Sequence, residues 1–68
     1  MLRQFRLARN GKRVLINSRK VICLMETEQS EDPVSTIVTQ APRSEDGVLT
    51  VDVKGSYDTV RRKLRWGF

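Results

Sequence analysis

The chain has 68 residues, which is enough for one domain with a small core. It carries 13 Lys and Arg against 8 Asp and Glu, has no histidine, and has a single cysteine, Cys23. The lack of histidine removes the most frequent general base near neutral pH and the most frequent metal ligand. One cysteine forms neither an intrachain disulfide nor a four-cysteine zinc site. The composition therefore predicts a single non-enzymatic domain, residues 1–68, without metal or cofactor.

The first part of the chain has the pattern of a β-hairpin. Phe5 and Leu7 alternate with polar neighbours, which is the period of a half-buried strand. Asn10-Gly11 follows and favours a two-residue type I′ turn, because both residue types tolerate a positive φ. Residues 14–16 are then the partner strand. The Arg-rich opening also fits a mitochondrial presequence, whereas no apolar segment follows it as in a secretory signal.

A continuous apolar run at residues 21–25 predicts a third strand, placed centrally in the sheet because both of its faces are apolar. Asn17-Ser18 marks the bend before it. Within the run, Cys23 is expected to be a small buried hydrophobe and not a reactive thiol. A lone thiol is typical of a reducing compartment, so we expect a cytoplasmic location.

Two further strands are separated by polar turns. Residues 34–39 are rich in β-branched side chains, which suit a pleated sheet. A turn at 41–47 contains Asp46-Gly47 and is longer than two residues. The last strand, residues 48–53, alternates and places on one face Leu49, Val51 and Val53.

A helix is expected at about residues 56–66. Ser56 is a suitable N-cap, and Asp58 falls in the first turn, where the helix dipole favours an anion. Gly67 fits a C-terminal stop. The stripe that faces the sheet consists of Tyr57, Val60 and Leu64. The fold class is therefore mainly β (α+β): a small curled antiparallel sheet of four to five strands with one C-terminal helix.

The acidic residues fall in the polar stretches between the strands. The spacing does not match a calcium-binding loop, so these residues are interpreted as solvated loops and not as a cation site. The two clusters are Glu26, Glu28, Glu31, Asp32 and Glu45, Asp46. Residues 1–20 hold seven Lys and Arg and no acid, so the charge is strongly segregated along the chain.

A basic and aromatic face is the candidate binding site. Cations neutralise phosphates and an exposed aromatic stacks on unpaired bases, so such a face predicts nucleic-acid binding. The candidate residues are Arg61, Arg62, Lys63, Arg65 and Trp66 of the helix, with Arg3, Arg6 and Arg9 of the first strand and turn. The alternative is that the acidic middle of the chain neutralises these cations within the fold.

Protein–protein contact is the leading hypothesis for function, and nucleic-acid binding is the alternative. Open sheet edges accept a strand from a partner or from a second copy, so a homo-oligomer is one outcome. Trp66 and Phe68 are candidate anchors, unless Trp66 packs against the core. The longest apolar run has five residues, 21–25, which is too short to enter a membrane as a spanning helix.

The opening of the chain resembles a known family. Residues 5–17 read as a strand, an Asn-Gly turn and a second strand ending in Asn, and Val21-Ile22 then leads to the acidic Glu26. Residues 53–60, a valine strand followed by a serine-capped helix, add to the likeness. Together they resemble the small FlbD-type flagellar and swarming-motility accessory proteins, an opening shared with short phage and bacterial proteins of unassigned role. The resemblance implies an accessory protein without catalytic residues, from a bacterial or phage background.

Overall fold

The computed structural model describes residues 1–27 and 32–65, which form five strands, one 3-10 turn and one helix. The elements are β1 (Leu2–Arg6), β2 (Arg13–Asn17), the 3-10 turn (Ser18–Lys20), β3 (Val21–Glu26), β4 (Val34–Gln40), β5 (Val48–Lys54) and α1 (Tyr57–Leu64). This is the mainly β fold with a C-terminal helix that the sequence predicts.

The strands form two antiparallel sheets that meet at the edge of β5. β1 and β2 make a two-stranded hairpin, and the other three strands follow the order β3-β4-β5. Leu7, just after β1, makes an isolated antiparallel bridge with Val53. Beside it, the Ala8 N–H donates to the Asp52 carbonyl at 3.0 Å. The hairpin is thus attached to β5 over a very short stretch.

All parts of the fold contribute to one core. The helix packs on β3 and β4, and the hairpin closes the core from the side of β1. Strand alternation accounts for the buried positions of the sheets, and the i, i+4 spacing accounts for the two positions of the helix. The buried core residues are Phe5, Ile16, Leu24, Ile37, Val51, Val53, Val60 and Leu64.

The third strand lies at an edge, so its predicted central position is wrong. β4 is the middle strand of β3-β4-β5. Helix and hairpin cover one face of this sheet, so the apolar run of β3 buries Leu24 and leaves Ile22 and Met25 exposed. A register irregularity between Val21 and Cys23 interrupts the pairing. Cys23 pairs with Val38 on the face opposite to that of Leu24 and is only partly buried, and not fully buried as expected.

The first turn also differs from its prediction. The Leu7 N–H donates to the Lys12 carbonyl, and the Gly11 N–H donates back to Leu7, so residues 8–11 form a four-residue loop. Gly11 has a φ of 72°, whereas Asn10 has no positive φ and instead accepts the Lys12 N–H through its side chain. A type I′ turn is therefore absent. The Leu7 N–H faces β2 and the next N–H, that of Ala8, faces β5.

The second long turn and the bend before β3 agree with the sequence. Ser44 organises residues 41–47 by donating its hydroxyl to backbone carbonyls on both sides of the loop. Gly47 takes a φ of 77° at the point where β5 begins. Before β3, the Asn17 side chain accepts the Arg19 N–H and caps the 3-10 turn.

The helix begins as predicted and ends earlier. The Ser56 hydroxyl accepts the Thr59 N–H at 3.3 Å, which confirms the N-cap. The helix stops at Leu64, where Arg65 adopts the left-handed region with φ 55° and ψ 50°. A non-glycine residue in this conformation carries a steric cost, which the bonds from its N–H to the carbonyls of Arg61 and Arg62 help to offset. The predicted stop at Gly67 lies outside the described residues.

Candidate functional site

The cations of α1 are largely engaged with the helix itself. The Arg61 guanidinium lies 3.9 Å from the Asp58 carboxylate, one turn before it. The Arg62 Nε donates to the Asp58 carbonyl at 3.4 Å. Arg65 caps the helix through its backbone N–H and not through its side chain. Two of the predicted binding cations, Arg61 and Arg62, therefore contact their own helix, and Lys63 attaches the helix to another element.

Lys63 contacts the aromatic ring of β1. Its ammonium lies 5.0 Å from the centroid of the Phe5 ring, within the range of a cation–π interaction. Phe5 is buried in the core, whereas Lys63 is exposed, so the ammonium lies over the ring at the surface of the core. This contact stabilises the packing of α1 against the hairpin.

The three N-terminal arginines of the predicted site lie in different places. Arg3 shares the inner face of β1 with Phe5 and is partly buried, and among the described residues its Nε has no hydrogen-bond partner. Arg6 lies on the outer face, and Arg9 lies in the loop that follows β1. Trp66, the aromatic member of the predicted site, lies outside the described residues, as does Phe68. Arg3 and Arg6 thus lie on opposite faces of the hairpin, and the grouping of the eight residues into one face stays a prediction.

A different set of cations does come together, on the outer face of the hairpin. Arg6 stands directly opposite Arg13 in the β1–β2 register. The bridge between Leu7 and Val53 places Arg6 next to Lys54 on the other side. Directly opposed residues of antiparallel strands project to the same face, so these side chains form a row across three neighbouring strands. The row spans about 10 Å, since adjacent strands lie about 4.8 Å apart.

The ends of two of these side chains converge on the hairpin loop. The Arg6 Nη1 donates to the Gly11 carbonyl at 3.1 Å. The Lys54 ammonium lies 3.5 Å from the position that a Cβ on Gly11 would occupy. Lys12 is exposed beside them. We call Arg6, Lys12, Arg13 and Lys54 the hairpin basic patch.

No carboxylate of the described ranges neutralises this patch. Within residues 1–27 and 32–65, none of its four cations lies within 4.0 Å of an Asp or Glu oxygen. Like charges placed opposite each other in a sheet are destabilising by a few tenths of a kcal/mol, about 0.2–1. An anion with oxygens above the row would relieve this repulsion and accept hydrogen bonds from both guanidinium groups. The arrangement is therefore chemically suited to phosphate.

Sequence reasoning missed three members of the patch, Lys12, Arg13 and Lys54. The pairing of Arg6 with Arg13 follows from the Asn-Gly hairpin once a register is assigned, so a signal for it was present. No local pattern indicates that Lys54 lies beside Arg6, because 48 positions separate them in the chain.

The described part of the chain contains no group of three or more potential metal ligands. Of the acidic clusters, the described members Glu26, Asp32, Glu45 and Asp46 are exposed, and the other two carboxylates lie outside the described residues. None of the helices in the described ranges has the length and apolar character needed to cross a membrane. Comparison of the chain with family models, curated proteins and solved structures gives no significant match.

Proposed function

We propose that this chain is a small non-enzymatic binding protein and that the hairpin basic patch binds the phosphate backbone of a nucleic acid. The observation that carries the proposal is the row of Arg13, Arg6 and Lys54 across three strands, with none of the three cations within 4.0 Å of a carboxylate oxygen of the described ranges. Cations that displace condensed counterions supply most of the affinity of sequence-independent binding.

The geometry favours contact with the backbone over contact with base edges. The patch lies on the flat outer face of a hairpin, and no helix of the described residues presents an unengaged basic stripe that could enter a major groove. Phosphate contacts position a protein on nucleic acid but carry no sequence information. We therefore expect little sequence preference and a strong dependence on salt.

The test is a fluorescence-anisotropy titration of labelled single-stranded RNA and duplex DNA at several salt concentrations. The double variant Arg6→Glu with Arg13→Glu should lose most of the affinity. Its log affinity should also fall less steeply with log salt, by about 1.4 units for single strands and about 1.8 for duplex, since two phosphate contacts are removed. Both residues are exposed, so the fold should be retained.

The matched control is Arg19→Glu with Arg43→Glu, which changes the net charge equally at exposed positions outside the patch. Arg62→Glu separately tests the helix. The proposal predicts small effects for both controls. Equal losses in the control and in the hairpin variant would show that only total charge matters, and a selective loss with Arg62→Glu would move the site to α1.

Contact with a protein partner or with a second copy, the leading hypothesis from the sequence, is the second candidate. It is supported by the edge strand β3, where Ile22 and Met25 are exposed next to a strand edge that pairs with no other described strand. An accessory role of the FlbD type and a cytoplasmic location stay predictions.

A further inference from the structure

The hydrogen bonds of β4 show which side of the neighbouring strand β3 is open. At the two ends of the β4–β5 ladder, the Gly55 N–H donates to the Pro33 carbonyl and the Ala41 N–H donates to the Gly47 carbonyl, both at 2.9 Å. Backbone groups of successive residues in a strand point to opposite sides, so the odd-numbered residues of β4 bond to β5. The even-numbered residues of β4 therefore bond to β3.

Two residues of β3 direct their backbone groups to an open edge. The even-numbered residues of β4 lie opposite Cys23 and Met25, so these two bond to β4. The N–H and carbonyl groups of the alternate residues, Leu24 and Glu26, point away from β4. Within the described ranges no group bonds to them on that side, and no strand lies beside it. The backbone of β3 is therefore ready to pair with a further strand.

The two ends of this edge carry opposite charges. Arg19 and Lys20 stand immediately before β3, Glu26 ends the strand, and all three side chains are exposed. None of the three has an ion-pair partner among the described residues. Two copies of β3 that pair antiparallel bring the basic start of each strand beside the acidic end of the other. The edge is thus complementary in charge to itself under a two-fold axis.

The exposed apolar side chains of β3 fit the same pairing. Ile22 and Met25 are each 47% exposed. A two-fold axis at Leu24 lets the Leu24 residues of the two copies exchange backbone hydrogen bonds. It also places Met25 directly opposite Cys23 of the second copy. The second strand then covers apolar surface that the single copy exposes, which favours association.

The other outer strand, β2, lacks this complementarity. Residues 1–20 contain no acidic residue, so two paired copies of β2 would bring only cations together. Like charges placed opposite each other in a sheet are destabilising. Of the two outer strands, β3 alone carries both charges.

We infer that two copies of this chain associate through β3, whose outer edge pairs antiparallel with the same edge of the second copy. The two-fold axis lies at Leu24, and Glu26 of each copy lies close to Lys20 of the other. This inference names the partner for the second candidate function and rests on it, and it uses no residue of the hairpin basic patch. Pairing over a few residues buries less surface than a standard interface of about 1,600 Å², so dimer and monomer should be in equilibrium.

The first measurement is sedimentation equilibrium of the native chain from micromolar to millimolar concentration. Amide hydrogen exchange is followed by NMR over the same range. Exchange at the Leu24 amide should slow as the dimer forms, whereas the amides of Cys23 and Met25 already bond to β4 and should change little. A chain that stays monomeric at millimolar concentration would overturn the inference, and so would a dimer without protection at Leu24.

An exchange of charges tests the complementarity of the edge. Lys20→Glu and Glu26→Lys should each weaken the dimer, by roughly fivefold for each of the two symmetric contacts. The double variant Lys20→Glu with Glu26→Lys should regain the native affinity, because both ends change sign. The matched control is Arg43→Glu with Glu45→Lys, at exposed positions outside β3, which should have no effect. A double variant no tighter than the single variants would contradict the pairing.

Met25→Cys tests the register. Its thiol would lie opposite the native Cys23 of the second copy, at a Cα separation of about 4.5 Å, which a disulfide spans. Oxidised glutathione should therefore link this variant into a covalent dimer faster than the native chain. The control is Leu15→Cys, at a leucine that is 61% exposed on the hairpin. Equal rates of linkage in the two variants would overturn the inferred register.

Nucleic-acid binding is measured in parallel, so that the two proposals fail separately. The variant Lys20→Glu with Glu26→Lys keeps the net charge and the hairpin basic patch, and should bind RNA as the native chain does. The variant Arg6→Glu with Arg13→Glu should lose RNA binding and dimerise as the native chain does. Loss of dimerisation in this second variant would show that the hairpin, and not β3, holds the two copies together.

Discussion

The cations of the helix and the cations of the hairpin differ in what surrounds them. On α1, Arg61 and Arg62 contact Asp58, and Lys63 covers the ring of Phe5. On the hairpin, Arg6 and Arg13 face each other, and neither forms an ion pair with an Asp or Glu of the described ranges. Both regions are basic in the sequence. The difference shows that a run of arginines on a short helix can serve the helix, while cations on separate strands form the surface available to a ligand.

The contrast between the helix and the hairpin depends first on how firmly α1 is anchored in the core. Leu64 is 2% exposed and holds the C-terminal turn of α1 in the core. Leu64→Ala should lower the free energy of unfolding by about 2–5 kcal/mol, because it removes buried methyl groups and leaves a cavity. Urea denaturation followed by circular dichroism measures this loss. Leu15→Ala, at a leucine exposed on the hairpin, should change stability by less than about 0.5 kcal/mol. Equal losses of stability in the two variants would show that Leu64 does not anchor the helix.

The two kinds of cation can be compared directly with one lysine from each region. Lys63→Gln should destabilise the protein by about 0.5–1 kcal/mol, the value of a cation–π contact at an exposed site. Lys54→Gln should not destabilise it, since this substitution removes a repulsive charge next to Arg6. Thermal denaturation of both variants at low salt tests the pair. A greater loss of stability with Lys54→Gln than with Lys63→Gln would show that Lys54, and not Lys63, is the lysine that stabilises the fold.

The smallest expected change in stability comes from the repulsion between cations of the hairpin basic patch. Arg13→Gln should raise stability by about 0.2–0.5 kcal/mol, because it removes the like charge opposite Arg6. This gain should shrink as salt is added, since exposed charges are screened. The same variant should bind RNA more weakly. Urea denaturation at low and high salt measures the gain, and a gain that does not depend on salt would point to a cause other than charge.

Local sequence patterns predicted most of the strands and the helix, but few of the contacts between them. The cap at Ser56 and the stripe of Val60 and Leu64 are decided within one turn of helix, and the structure agrees with them. The position of β3 in the sheet was mispredicted. An apolar run shows that both faces of a strand are apolar, but it does not show how many of those faces other elements cover. The turn after β1 was mispredicted because the Asn-Gly pair indicates a turn but not its length, and the bonds between Leu7, Gly11 and Lys12 close a loop of four residues.

The candidate site, too, was predicted from the sequence only in part. The sequence indicated a basic surface and identified Arg6 as one of its members, but grouped it with the cations of α1. By itself the sequence determined the strands, the places where the chain turns, the helix and the segregation of charge, because each depends on residues a few positions apart. The tertiary structure alone decided that Lys54 joins Arg6 and Arg13 while Lys63 joins Phe5. These neighbours are created by strand pairing and helix packing between distant segments, and the energies of those contacts are not encoded in any local pattern.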